Sequence, residues 1–231
     1  MFISIEGPDG AGKTTQAALL VDRLREGGRR VVAVHEPGGT DLGTHIRALL
    51  VHRGGVSIDP RAEALLFSAC RAQLVAEVIR PALESGAIVV ADRFADSTRA
   101  YQGAGRGLPA EDLEALISVA TGGLAPDLTV LLDLPPAAGL RRLAASTKAA
   151  ADGPSQFSFF EELHLPAAWN RFEDEGRQFQ ERVRAAYLDL ARAEPDRWRV
   201  VDATLGVADV GERVLQLVMD ALATRTSPSK R

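Results

Sequence analysis

The octapeptide Gly7-Pro8-Asp9-Gly10-Ala11-Gly12-Lys13-Thr14 restricts the fold of this chain more than any other stretch. It matches the phosphate-loop pattern Gly-x-x-x-x-Gly-Lys-Ser/Thr at every fixed position. An apolar run, Phe2 to Ile5, precedes it, and a helical pattern from Lys13 to Arg25 follows. The glycines let the backbone curl so that its N–H groups converge, and the helix N-terminus adds its positive dipole end. Residues Gly7 to Thr15 are therefore expected to cradle the phosphates of ATP, with Lys13 bridging the transferring groups and the Thr14 hydroxyl on Mg²⁺.

Beyond the loop, short apolar runs alternate with helical patterns. Strands are expected at Phe2–Ile5, Val31–Val34, Ile88–Ala91, Leu128–Leu132 and Trp198–Val201. Helices are expected from Lys13 to Arg25, Leu42 to His52, Arg61 to Glu84 with a bend near Pro81, and Pro109 to Ala120. Further helices are expected around Leu140–Leu143, from Glu173 to Arg192, and from Val207 to Leu222. This alternation predicts an α/β fold of three layers: a mostly parallel five-stranded sheet with helices on both faces. One domain is expected over residues 1–225, with a disordered tail at 226–231. The stretch 144–171 lacks clear periodicity and gathers Phe157, Phe159 and Phe160. It reads as a mobile lid, whose rings either fold it onto the body or touch ligand.

Charge and composition narrow the function classes. With 27 Lys and Arg against 31 Asp and Glu, the net charge of −4 argues against bulk affinity for nucleic acid or an anionic membrane. No apolar run is long enough to span a bilayer, and Met1–Ile5 lacks the features of a secretion signal. The single cysteine, Cys70, excludes an internal disulfide and suits a reducing cytoplasm. A GTPase would carry Asn-Lys-x-Asp late in the chain, and none occurs.

A phosphotransferase needs a second anion site facing the loop. Asp92-Arg93 follows the third strand directly, and the carboxyl ends of strands in an open parallel sheet face the ligand crevice. Arg93 can hold an acceptor phosphate bidentately and Asp92 can order Mg²⁺, or the two can form a structural ion pair. Phe67 and Arg71, four apart on one helix, suit a planar base by stacking and donation, although Phe67 taken alone reads more readily as a core ring.

These segments resemble the thymidylate kinase family. The matches are Ile5-Glu6-Gly7, Glu36-Pro37-Gly38-Gly39-Thr40, Leu65-Leu66-Phe67 with Arg71-Ala72-Gln73, Asp92-Arg93-Phe94, Asp96-Ser97-Thr98, Ala100-Tyr101-Gln102-Gly103, Gly105-Arg106-Gly107 and Arg171-Phe172-Glu173. The resemblance implies transfer from ATP to the small molecule dTMP, with Mg²⁺, in a homodimer. It implies that Asp9 contacts the sugar 3′-hydroxyl and helps place the metal, and that Phe67 stacks under thymine with Arg71 donating to its exocyclic oxygen. It further implies that Ser97 and Gln102 read the polar edge of the base, that Tyr101 crowds the sugar 2′ position, and that Arg47 and Arg93 hold phosphate. The loop position of one family arginine is Gly10 here, so the catalytic arginine is expected from the lid, with Arg171 ahead of Arg141 and Arg142. The chain departs from the pattern in that lid: Lys148 is the only lysine or arginine from Thr147 to Trp169. Asn170 and Cys70 also stand where the family commonly has Asp. Two other readings stay open: a kinase for another nucleotide or nucleoside, and a nucleotide-binding regulator with weak catalysis.

Overall fold

The computed structural model describes residues 1–51, 57–152 and 175–226. The apolar runs become five strands: β1 (Phe2–Glu6), β2 (Val31–His35), β3 (Ile88–Asp92), β4 (Leu128–Asp133) and β5 (Trp198–Asp202). They pair in parallel in the order β2-β3-β1-β4-β5. Each strand runs one residue past its apolar run, onto Glu6, His35, Asp92, Asp133 or Asp202. The register sets Ile5 opposite Asp92, Asp92 opposite His35, and Glu6 opposite Leu131, so one edge of the sheet collects polar side chains.

Side-chain alternation divides the core in two. Ile3, Ile5, Val90, Val130 and Leu132 face one side and pack under α1 (Lys13–Glu26) and α9 (Val207–Thr226), against Val21, Leu24, Val214 and Val218. Phe2, Val34, Val89 and Ala91 face the other side, under α3 (Pro60–Leu74) and α6 (Ala110–Thr121). There Leu131 and Trp198 meet Val183 and Tyr187 of α8 (Gly176–Ala193). Each fully buried aliphatic chain contributes roughly 1.5–3 kcal/mol.

Four stretches differ in detail from the expected elements or add to them. The helix expected from Arg61 to Glu84 is helical throughout but changes type within its length: α3 starts at Pro60, capped by Asp59, whose carboxylate accepts from the Arg61 N–H at 2.9 Å. A wide turn, Val75–Ile79, then leads into α4 (Arg80–Glu84). Pro81 cannot donate to the preceding turn and its ring crowds that turn's carbonyl, so the ladder widens before the proline. Second, Ala95–Gly105 is helical, as α5 (Ala95–Thr98) continued by wide π turns over Arg99–Gly105. Its glycines and short length hid it. Third, the lid stretch is not irregular at its start: α7 runs from Pro136 to Asp152. Alanine-rich sequence favours a helix without producing an apolar stripe. The rest of the lid, including Phe157, Phe159, Phe160 and Arg171, lies outside the described residues. Fourth, α9 continues to Thr226, and the remaining tail lies outside them as well. Among the described residues no helix is long and apolar enough to cross a membrane.

The segment after β3 is tied down by a buried charge cluster. Asp96 takes Arg197 at 2.6 and 3.1 Å and Arg99 at 2.8 Å, so the entrance to β5 anchors α5. Removing one partner of a buried pair strands the other charge. Arg197→Met should lower the unfolding free energy by about 2–3 kcal/mol in urea titration, because Arg99 compensates only in part. A loss under about 0.5 kcal/mol would contradict this role.

Candidate functional site

The loop between β1 and α1 is shaped by what its glycines touch. Gly7 has φ 148°, and a Cβ there would sit 2.6 Å from the Leu132 carbonyl oxygen. Gly10 has φ 78°, and its Cβ would meet the Gly139 carbonyl oxygen at 2.5 Å. The first turn of α7 therefore presses on the loop, which explains why position 10 carries no arginine. Lys13 is buried and donates to the Pro8 carbonyl at 2.8 Å. Burial, and then the nearby Arg93 guanidinium, push its ammonium down to about 8. Thr14 donates its hydroxyl to Asp92 at 2.5 Å, joining the loop to the end of β3, and Thr15 follows, half-buried, on the same helical turn.

Arg93 faces this loop. It is the one non-glycine residue with a left-handed backbone among those described, at φ 72°. That conformation costs on the order of 1 kcal/mol and turns the side chain off the strand toward the loop. Its guanidinium donates to Asp9, to the Gly7 carbonyl at 3.3 Å, to the Tyr101 hydroxyl at 3.0 Å and to Ser97 at 3.2 Å. It also lies 4.8 Å over the Tyr101 ring. Asp9 further accepts from Tyr101 at 2.9 Å and from Gln180 at 3.1 Å. Burial alone would raise the Asp9 carboxyl, but Arg93 and Lys13 hold it below its usual range.

Beside Arg93 opens a narrow cleft, partly open to solvent, lined by Asp9, Glu36, Pro37, Phe67, Arg71, Arg93, Ser97, Thr98, Tyr101 and Gln102. Of the residues expected to bind the acceptor, only Arg47 is missing from this lining; it stands behind Pro37, donating to that carbonyl at 2.8 Å. Arg71 is held by Glu36 through Nε at 2.9 Å and Nη2 at 2.6 Å, with Nη2 also 3.3 Å from the Phe94 carbonyl. Its Nη1 is buried and makes no hydrogen bond. Gln102 donates through Nε2 to Glu63 at 2.8 Å. Phe67 packs at the edge of two apolar clusters while also lining the cleft, so the core and ligand readings of this ring are compatible.

Ser97 is placed differently from a base-reading donor. Its hydroxyl lies 2.7 Å from Glu6 Oε2 and 2.8 Å from the Tyr187 hydroxyl, so its one proton is spent inside the wall. Glu6 is fully buried and also accepts from Ser4 at 2.8 Å, the Phe94 N–H at 2.7 Å and Tyr187 at 3.0 Å. Burial and the neighbouring Asp96 raise its carboxyl to about 7.

The sequence alone assigns no role to Glu6, Gln180, Tyr187 or Gly139 and does not mark Glu36 and Glu63 as anchors. Some signals existed: Glu6 interrupts an apolar strand end, and Gln180 and Tyr187 lie two turns apart on one face of α8. Arg141 and Arg142 line a separate, shallow cavity on α7 with Leu134, Pro135 and Thr204. Arg171 lies outside the described residues.

The charge on Lys13 is complete below its pKa of about 8 and is lost above it. kcat/KM for ATP, which reports the free enzyme, should therefore fall as pH rises through about 8, with kcat less affected because bound phosphate restores the proton. Steady-state kinetics across that range check this, and a profile flat well into the alkaline side would contradict it.

Comparison with known proteins agrees with this geometry. The family model described as thymidylate kinase matches residues 5–214. A thymidylate kinase of Deinococcus radiodurans is 50% identical over 204 residues, covering 88% of this chain and 89% of that one. One from Thermomicrobium roseum is 48% identical over 228 residues, covering 98% and 99%. Among solved structures, thymidylate kinase from Ehrlichia chaffeensis aligns with a TM-score of 0.70 at 31% identity, over 95% of this chain and 98% of that one. A parallel sheet in this strand order, a phosphate loop facing an arginine at the end of β3, and relatives matched over nearly their full lengths lead to one conclusion: the chain belongs to the thymidylate kinase family.

Proposed function

We propose that this chain transfers the γ-phosphoryl group of ATP to dTMP, giving dTDP and ADP. The observation that carries this reading is the position of Arg93. One guanidinium touches the phosphate loop at Gly7 and Asp9 and also lines the neighbouring cleft, so a monophosphate held there would face the loop. An oxygen of the dTMP phosphate attacks the γ-phosphorus in line, and the bond to the β-bridging oxygen breaks. ADP leaves with that electron pair.

Both reactants are anions, so catalysis rests on fixed positive charge and alignment. In this proposal the curled amides of 7–14 and Lys13 hold the donor, while Arg93, with Arg47 behind it, holds the acceptor phosphate. Phe67 stacks on thymine, Nη1 of Arg71 donates to its exocyclic oxygen, and Gln102 meets the polar edge. Tyr101 limits the sugar 2′ position and Asp9 takes the 3′-hydroxyl. Arg141 and Arg142 line the separate cavity on α7, the helix whose Gly139 touches the loop, and suit the face of the donor's adenine. The lid arginine is assigned to Arg171.

Among the described residues no three His, Cys, Asp or Glu form a ready metal cage. Mg²⁺ uses few protein ligands and shares its shell with phosphates and water. The hard oxygens of Thr14, Asp92 and Asp9 fit that demand, and Mg²⁺ bound there would neutralise phosphate charge. The exposed Leu49 on α2 (Asp41–Val51) and Leu65 on α3, two helices that pack on one another, support a homodimer through these helices, and the buried thiol of Cys70 supports a cytoplasmic setting.

ADP release coupled to a reporter, measured with dTMP, dUMP, UMP, CMP and AMP, tests the reading. dTMP should give the highest kcat/KM, and ATP binding without dTMP-dependent turnover would contradict it. Arg93→Ala should lower kcat/KM for dTMP at least about 30-fold, roughly 2 kcal/mol. An unchanged value would remove Arg93 from the acceptor site.

A further inference from the structure

The cleft wall contains a buried carboxylate that does not line the cleft. Glu63, on the first turn of α3, is 1% exposed and accepts from Nε2 of Gln102 at 2.8 Å. Arg106 grips the same carboxylate from the other side, with Nε at 3.3 Å and Nη2 at 3.2 Å. Arg106 is itself braced by Glu175 and lies 5.1 Å over the Phe179 ring. The contact thus links α3, the π turns and α8.

A carboxylate facing a guanidinium only accepts hydrogen bonds, whereas an amide has a donating end and an accepting end. Only the NH₂ end of Gln102 can therefore face Glu63; the reverse would set oxygen against oxygen. The amide oxygen, Oε1, makes no hydrogen bond among the described residues, and Gln102 lines the cleft. In the same cleft lining, Nη1 of Arg71 is a buried donor without a partner, because Glu36 and the Phe94 carbonyl occupy its other nitrogens.

We propose that Glu63 is a positioning residue for base selection: it locks the Gln102 amide so that the cleft offers an acceptor beside the Arg71 donor. That pair matches a keto oxygen next to a ring N–H, as in thymine or uracil. It opposes cytosine, which presents an amino group next to a bare ring nitrogen. Cytosine would set donor against donor at Arg71 and acceptor against acceptor at Gln102. A residue that never touches the base therefore sets which pyrimidines are refused. This inference rests on the reading of the cleft as a dTMP site.

The test compares kcat/KM for dTMP and dCMP, with dUMP as a control, in the wild-type enzyme and in Glu63→Gln. A glutamine at 63 can donate as well as accept, so Gln102 becomes able to turn over. The dTMP/dCMP ratio should fall about tenfold or more, while dTMP/dUMP stays constant because both bases present the same edge. The drop should appear mainly in the two KM values, and kcat for dTMP should be nearly retained. In a Gln102→Met background, adding Glu63→Gln should leave the dTMP/dCMP ratio where Gln102→Met alone puts it. Should Glu63→Gln not fold, Arg106→Gln, which loosens the same carboxylate, takes its place with a smaller fall expected. Wild-type turnover of dTMP with an unchanged dTMP/dCMP ratio in the variant would overturn this inference alone. A wild-type enzyme that does not turn over dTMP would remove the parent reading, and this inference with it.

Discussion

The ion pair between Arg93 and Asp9 joins the end of one strand to the phosphate loop of another, and the rest of the site is arranged around it. Asp9 belongs to a loop that must curl, and Arg93 to a backbone position that must turn left-handed. Neither conformation is favourable alone. Each is stabilised by what its neighbours contribute: Gly139 presses on the loop from α7, and Glu6 holds the Phe94 N–H directly behind Arg93. Strain of this kind persists only where the surroundings over-determine it.

Electrostatics follow from the same arrangement. A chain of net charge −4 attracts anions only where cations are gathered, and here Arg93 lies near enough to both Lys13 and Arg47 for the charges to repel. Burial, and then the neighbouring Arg93 guanidinium, lower the pKa of Lys13. Asp9 and Asp92 offset the repulsion while keeping oxygen atoms available. Glu6 beneath them has a raised pKa and completes a buried network with Ser97 and Tyr187. The charged groups are thus held in layers, cations toward the substrates and carboxylates behind or beside them.

Much of this was legible in the residues alone. The five strands, the phosphate loop and the approach of Arg93 to it follow from pattern and from the rule that strand ends face the crevice. What sequence could not supply was the partner of each polar side chain. Arg71 and Gln102 read as candidate base contacts, but their anchors Glu36 and Glu63 lie 35 and 39 positions away. Ser97 occupies a lining position while its proton points inward to Glu6, which no spacing rule reveals. The π turns carrying Tyr101 and Gln102 escaped notice because glycines at 103 and 105 read as loop. The start of the lid escaped for the opposite reason: alanines make a helix without advertising a face.

The central claim is that donor and acceptor pockets open toward one another across Arg93. A compound joining the 5′ ends of adenosine and thymidine through a polyphosphate chain tests this most directly, because it can fill both pockets only if they face each other. Calorimetry should give a dissociation constant at least about a hundredfold below that of ATP or dTMP alone. Binding no tighter than the better of the two separate nucleotides would contradict the account.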